Sequence, residues 1–207
     1  HSGIEYSGTS AITIQLEGEN TVTGFRGIVT SAAVTISGGT LNVNGDSYAI
    51  YAGGNIEISD ATVIAPGTGD CSYGITTHGV DIIINSGTVT VDSKMYGLNA
   101  NNYVYINGGT VSVDSDQNGV NTRAGDSLTI RGGTVTIKAG KLLMMNPNDR
   151  VVIAPQGGTE ITVEVGNSKD NVKEIEGSPF SSQEDIRDHI NDNADKYFHS
   201  ETSGGTP

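Results

Sequence analysis

Two tyrosines, Tyr103 and Tyr105, occupy alternate positions of the segment "YVYI". In an extended strand such residues point to the same side and lie about 7 Å apart, whereas Val104 and Ile106 point to the opposite side. Flat rings can cover the apolar C–H face of a sugar while neighbouring polar groups bind its hydroxyls. The pair therefore predicts a ligand-binding surface, although tyrosine is also an ordinary residue on the solvent face of a strand.

Two carboxylates are predicted to lie near this pair. Asp81 begins the segment "DIII" and Glu57 lies within "NIEI", and both segments align with "YVYI" in the repeats described below. The predicted ligand-binding residues are therefore Tyr103, Tyr105, Asp81 and Glu57. A glycosidase site needs two acids at a defined separation in a cleft, but these acids would lie on an open face. We predict no catalytic residue, and an enzymatic role is not favoured.

The segment "DSDQNG" supplies the oxygen ligands that calcium prefers. Asp114, Asp116 and Asn118 match the first half of a D-x-D-x-N-G calcium loop and are the predicted metal ligands. The match ends at Gly125, where the motif requires glutamate. The same residues also suit an Asx-type turn. Calcium is the one cofactor that the sequence predicts.

The acidic composition restricts the partners. Against 24 Asp and Glu the chain has 11 Lys and Arg, which gives a formal net charge of -13. Nucleic acids and anionic membranes both attract basic proteins, so we expect neither as a partner. No apolar run approaches the ~20 residues of a transmembrane helix, and no membrane insertion is expected. A single cysteine, Cys71, excludes an intramolecular disulfide.

The elements that position these residues are predicted from short phrases that recur along the chain. Examples are "ISGGTLNV", "INSGTVTV", "INGGTVSV" and "IRGGTVTI". The small residue before the threonine recurs at Gly39, Ala61, Gly87, Gly109 and Gly133, at intervals of 22 to 26 residues, which is typical of solenoids. Each repeat contains a short segment such as "YAIY", an alternating segment such as "NIEI", and a segment that begins with Thr-Val. Three strands in each turn predict an all-β fold, a single-stranded right-handed parallel β-helix whose equivalent residues stack on one another. The threonines of the third segment should form a column of Thr40, Thr62, Thr88, Thr110, Thr134 and Thr159.

The repeats end near residue 166. We predict a parallel β-helix over residues 1–166 and a polar C-terminal segment over residues 167–207. Within that segment, a capping box that begins at Ser181 and a narrow apolar stripe predict a helix over about residues 181–197. This helix would cover the open end of the stack and would be followed by a flexible tail.

A family resemblance becomes visible at "YGLNANNYVYINGGTVSVDSDQNGVNTRAGDSLTIRGGTVTIKAG". This stretch resembles the pectate-lyase-like right-handed parallel β-helix proteins, and it is similar in particular to carbohydrate-binding β-helix proteins of clostridial and gut-bacterial surfaces. The segment "ITIQLEGENTVTG" is similar to the opening coil of such modules. The resemblance implies export, calcium between the coils at Asp114, Asp116 and Asn118, and binding of plant or acidic polysaccharide.

We therefore expect a non-catalytic carbohydrate-binding or adhesion module, supported by calcium, of a secreted or cell-surface bacterial protein. Its partner would be a polysaccharide or a cell-surface glycan, and the chain would be part of a larger surface protein. The alternative is a calcium-dependent polyuronate lyase, for which Arg123 lies near Asp114 and Asp126 in the sequence. A structural spacer is the third hypothesis.

Overall fold

The computed structural model describes residues 1–67, 69, 72–123, 128–139, 150–156, 161–166 and 172–192. They form a β-solenoid of about six turns, in which equivalent strands of neighbouring turns pair in parallel. The prediction of an all-β parallel β-helix is confirmed. Cys71, Gly125 and Asp126 lie outside the described residues.

The described residues form eighteen strands. The first nine are β1 (Ser2–Tyr6), β2 (Ile12–Thr30), β3 (Val34–Ala52), β4 (Ile56–Ser59), β5 (Ala61–Pro66), β6 (Tyr73–Thr77), β7 (Ile82–Ile84), β8 (Gly87–Ser93) and β9 (Tyr96–Asn99). The others are β10 (Val104–Ile106), β11 (Thr110–Ser115), β12 (Asn118–Asn121), β13 (Leu128–Ile130), β14 (Thr134–Ala139), β15 (Val151–Ile153), β16 (Thr162–Gly166), β17 (Val172–Glu174) and β18 (Glu184–Asp185).

Each turn crosses three faces, which we name A, B and C. Face A contains β1, the ends of β2 and β3, and then β6, β9 and β12. Face B contains the beginnings of β2 and β3, and then β4, β7, β10, β13 and β15. Face C contains the middle parts of β2 and β3, and then β5, β8, β11, β14 and β16.

The core consists of aliphatic side chains that stack on equivalent side chains of the next turn. On face B the inward row is almost fully buried, with exposures of 2% or less for Val34, Ile56, Ile82, Val104, Leu128 and Val151. Burying one such side chain contributes about 1.5–3 kcal/mol relative to leaving it exposed. A shift of one residue would turn this whole set outward, so the alternation fixes which residues of face B point to solvent.

The threonine column differs from the prediction at its last member. The register pairs Thr134 of β14 with Thr162 of β16, whereas Thr159 was predicted at that position and lies outside the described residues. The physical reason is the charge of Glu160, because Thr159 in the column would turn Glu160 into the core. With Thr162 in the column, the inward positions are Val163 and Val165, which are buried.

The C-terminal end of the solenoid is covered by antiparallel strands. β17 pairs with β16, and β18 pairs with β15, which closes the last edges of faces C and B. Ile175, Phe180 and Ile186 are 3% exposed or less and bury apolar surface at this end. An exposed parallel edge would offer unpaired N–H and C=O groups to other chains, so these strands protect the end of the stack.

The predicted helix over residues 181–197 is only partly within the described residues. The chain there includes β18 and then a short helix, α1 (Arg187–Asp192). The extended segment that precedes α1 pairs with β15, so the cover seen at this edge is a strand. Residues 193–197 lie outside the described residues, and a helical cap stays a prediction. Among the residues that the structure describes, no helix is long and apolar enough to span a membrane.

Candidate ligand-binding groove

An open groove with a volume of about 320 Å³ lies on face B near the C-terminal end of the solenoid. This volume falls at the lower end of the roughly 300–1,000 Å³ that is usual for small-ligand sites. Strands β10, β13 and β15, the residues next to them and the segment before β18 supply its lining residues, which are Tyr103, Tyr105, Thr129, Arg131, Arg150, Val152 and Gln183. Both predicted tyrosines are therefore part of this groove.

The groove arises from a change in side-chain size along one row of face B. Tyr105 lies opposite Thr129 on the next strand, and Thr129 lies opposite Val152 on the strand after it. The large ring thus stands beside two small side chains, which form the floor. Successive strands are about 4.8 Å apart, so the floor is roughly 10 Å wide. A flat ring therefore fits between Tyr105 on one side and Arg150 and Gln183 on the other.

The two tyrosines form one wall. The ring centroids of Tyr103 and Tyr105 are 5.5 Å apart and the ring planes are inclined by 34°. They point to the same side because Val104 between them is fully buried. Paired rings of this kind give a rigid apolar surface with hydroxyl groups at its edge.

Two arginines bring positive charge to the groove of an acidic chain. The guanidinium carbon of Arg131 lies 4.6 Å from the ring centroid of Tyr105, which is a cation–π contact. Within the described residues Arg131 makes no salt bridge. Arg150 donates from Nε to Oδ2 of Asp185 in β18 at 2.8 Å. Guanidinium groups bind hydroxyls, carboxylates and sulfates through several N–H donors.

Asp81 and Glu57 lie on the other side of the tyrosine pair and do not line the groove. Oδ1 of Asp81 accepts a hydrogen bond from the backbone N–H of Tyr103 at 3.2 Å. Burial raises the pKa of Asp81, and the hydrogen bond from Tyr103 opposes this shift. Oε1 of Glu57 accepts from Nδ2 of Asn85 at 2.7 Å. The structure thus brings Asp81 against Tyr103, and a ligand role for the two acids stays a prediction.

Two of the three predicted calcium ligands lie beside lysines, and the third is buried. Asp116 pairs with Lys94 at 2.8 Å and Asp114 lies 3.7 Å from the ammonium of Lys138, while Asn118 is 7% exposed. Two ammonium groups oppose the charge that would attract a cation. In the described part of the chain, no three His, Cys, Asp or Glu side chains form a group that could hold a metal ion. Both aspartates face lysine ammonium groups in this geometry, and a calcium site stays a prediction.

A second set of tyrosines on face A has a different geometry. Tyr48 and Tyr73 stack at 4.9 Å with planes inclined by 19°, and Tyr73 and Tyr96 follow at 5.4 Å. Stacked rings cover each other's faces and leave mainly their edges for other contacts. This column links equivalent residues of three successive turns.

Sequence reasoning missed the positive and polar part of the groove. Arg131 follows β13 at the position that Asn107 and Asn85 occupy after their own strands, so alignment of the repeats could have found it. Arg150 similarly begins "RVVI", the segment that aligns with "YVYI". Gln183 carries no such signal, because it reaches the groove through an antiparallel strand outside the repeats.

A family model described as "Carbohydrate-binding domain-containing protein" matches residues 68–194. This span is more than half of the chain and includes every residue that lines the groove. No curated protein and no solved structure matches the chain.

Proposed function

The chain belongs to the carbohydrate-binding domain-containing protein family, and from this membership we propose that it is a non-catalytic module that binds a carbohydrate in the groove of Tyr103 and Tyr105. The observation that carries the proposal is the wall of paired tyrosine rings beside a floor of small side chains. Ring faces pack on the C–H surface of a sugar, and polar groups at the rim bind its hydroxyls.

The groove provides both kinds of contact. A sugar ring above Thr129 and Val152 would face the tyrosine wall on one side and reach Arg150 and Gln183 on the other. Hydroxyl, amide and guanidinium groups together supply donors and acceptors for sugar hydroxyls. The ligand would be a short stretch or an end of a glycan, because the volume of about 320 Å³ is small.

The arginines give the site a preference for charged sugars. A carboxylate or sulfate on the glycan would form charge-assisted hydrogen bonds with Arg131 or Arg150, which are stronger than bonds to neutral hydroxyls. Binding of a uronic-acid polysaccharide should therefore exceed binding of a neutral polysaccharide and should weaken as salt rises. Equal binding of both, without a salt effect, would contradict a role for the arginines.

The decisive experiment compares two double variants. Tyr103→Ala/Tyr105→Ala removes the tyrosine wall, and Tyr48→Ala/Tyr73→Ala removes two stacked rings of the same type from face A. A glycan array followed by calorimetry should show a loss of at least about 10-fold for the first variant. The second variant should bind like the wild type at a temperature where both variants are folded by circular dichroism.

Other results would favour the remaining hypotheses. If both double variants bind like the wild type, the site lies elsewhere on the solenoid. If the wild-type protein binds no glycan, the structural-spacer hypothesis gains support. The polyuronate lyase hypothesis predicts release of unsaturated products from a uronic-acid polysaccharide. The lyase hypothesis was based on Arg123, Asp114 and Asp126, of which the structure describes the first two. Arg123 is exposed, and Asp114 lies beside a lysine.

Calcium support and a bacterial surface setting are part of the proposal. The binding assay should be repeated with calcium and with a chelator, and with the variant Asp116→Asn. If calcium displaces Lys94 from Asp116, calcium should raise the melting temperature of the wild type and not of the variant. No calcium effect on the wild type would remove calcium from the mechanism. We also propose that the chain is part of a larger secreted or cell-surface protein, which fractionation of the source cells would test.

A further inference from the structure

A chain of side-chain hydrogen bonds crosses face B and ends at the groove. Nη1 of Arg131 donates to Oδ1 of Asn107 at 3.0 Å, and Nδ2 of Asn107 donates to Oδ1 of Asn85 at 2.8 Å. Nδ2 of Asn85 then donates to Oε1 of Glu57 at 2.7 Å. These four residues belong to four successive turns, and we call them the amide chain.

The amide chain has one direction from end to end. Each amide accepts through Oδ1 from the following turn and donates through Nδ2 to the preceding turn. It begins at a guanidinium cation and ends at a carboxylate, which is the orientation that both charges favour. Hydrogen bonds aligned in this way polarise and strengthen one another. Glu57 and Arg131 are three strand spacings apart, about 14 Å, so only the amides link them.

We propose that Asn107, Asn85 and Glu57 are positioning residues that hold Arg131 over Tyr105, so that Arg131 meets the glycan already ordered. This inference rests on the proposed function of the groove. Glu57 thereby acts through the amide chain, without contact with the ligand.

The benefit of this arrangement lies in the entropy of the arginine. A free arginine side chain loses rotamer freedom when it binds a ligand, which weakens binding. Arg131 has already lost that freedom to the hydrogen bond from its Nη1 and to the ring of Tyr105. Only one of its five N–H donors is used by Asn107, so the others can serve the ligand.

A matched control exists on another face. Asn121 donates from Nδ2 to Oδ1 of Asn99 at 2.7 Å, which is the same type of bond between turns as that of Asn107 and Asn85. Neither residue lines the groove. Asn121→Ala therefore reproduces the loss of an amide–amide bond without a change near Arg131.

The experiment uses Asn107→Ala, Asn107→Asp and Asn121→Ala in the full chain. Calorimetry with a short uronic-acid oligosaccharide measures binding, and ¹⁵N relaxation of the arginine Nε–H groups measures the order of Arg131 without ligand. Arg26 in the same spectra serves as the internal reference. Asn107→Asp tests rescue of the order of Arg131 alone, because its carboxylate still accepts the hydrogen bond from Arg131 but cannot donate to Asn85.

In Asn107→Ala we expect a mobile Arg131 and about 2- to 10-fold weaker binding. This loss of affinity is the cost of ordering one side chain when the ligand binds. Asn107→Asp should retain an ordered Arg131, but it should bind the uronic-acid oligosaccharide more weakly than the wild type because the new carboxylate repels that of the ligand. Asn121→Ala should leave both readouts unchanged.

Two results would overturn the proposal: an Arg131 equally ordered in Asn107→Ala and the wild type, or equal losses of binding in Asn107→Ala and Asn121→Ala. If the wild type does not bind the oligosaccharide, the proposed function fails in this form. The relaxation data then decide by themselves whether the amide chain positions Arg131.

Discussion

Substitution of Gly109 by alanine should destabilise the solenoid through two separable effects. Gly109 has a φ of 85°, and an added Cβ would lie within 3.0 Å of the carbonyl oxygen of Gly87 in the preceding turn. The left-handed conformation costs a residue with a Cβ about 1–2 kcal/mol. Forcing an extra carbon against a packed backbone costs about 1–3 kcal/mol more. The expected loss in the free energy of unfolding is therefore about 2–5 kcal/mol.

Gly18 provides the control for the first effect. Its φ is 64°, and an added Cβ would have no atom within 4 Å. Gly18→Ala should thus cost about 1–2 kcal/mol from the backbone conformation alone. Both variants reduce the entropy of the unfolded chain equally, so the difference between them isolates the contact between turns.

Urea denaturation followed by far-UV circular dichroism measures both variants, with the denaturant slope as a check on cooperativity. If Gly109→Ala costs no more than Gly18→Ala, the close approach of the turns is not what requires glycine in the repeated Gly-Gly-Thr phrase. The reasoning about stacked corners would then be refuted.

Three further predictions use the same denaturation assay. Ile106→Ala should lower the free energy of unfolding by about 2–5 kcal/mol because Ile106 is fully buried. Phe25→Ala should lower it by less than about 1 kcal/mol because Phe25 is 58% exposed. Similar losses for both variants would contradict the assignment of inward and outward positions. Because burial raises the pKa of Asp81, its contribution to stability is fully present below its ordinary pKa and is lost as pH rises through the raised value. Asp81→Asn should therefore raise the melting temperature relative to the wild type at about pH 7 but not at about pH 3, and the opposite order would show that the opposing hydrogen bond dominates. Asp116→Asn breaks an ion pair whose side chains are 45% and 62% exposed and should cost less than about 1 kcal/mol without calcium, so a larger loss would mean that this pair is part of a network.

The fold could be predicted from the sequence because its information is local and repeated. Alternation with period two decides which side chains point inward, and the recurrence of the phrase decides that equivalent side chains stack. Val104 and Ile106 are buried as predicted, and Tyr103 and Tyr105 share the outward side of β10. The same logic was wrong for Thr159, since that register would turn the charged side chain of Glu160 toward the core.

Two of the seven residues that line the groove followed from the same information. The tyrosine pair was visible in "YVYI", and the repeat position of Arg131 was available in "IRGG". The sequence did not show on which side of the tyrosines the groove opens. That side depends on the small side chains of Thr129 and Val152, which lie on the next two strands of face B. Side-chain size on neighbouring turns is a property of the stack and of no single repeat.

The sequence by itself determined the solenoid, its faces and the outward direction of the two tyrosines, since those features depend on periodicity alone. Only the tertiary structure decided that the last edges are covered by β17 and β18 and that Arg150 is held by Asp185. It also decided that Glu57 is linked to Arg131 through two amides. The physical reason is that these contacts join residues of different turns, or of the solenoid and its C-terminal segment. Their geometry exists only after the chain has stacked.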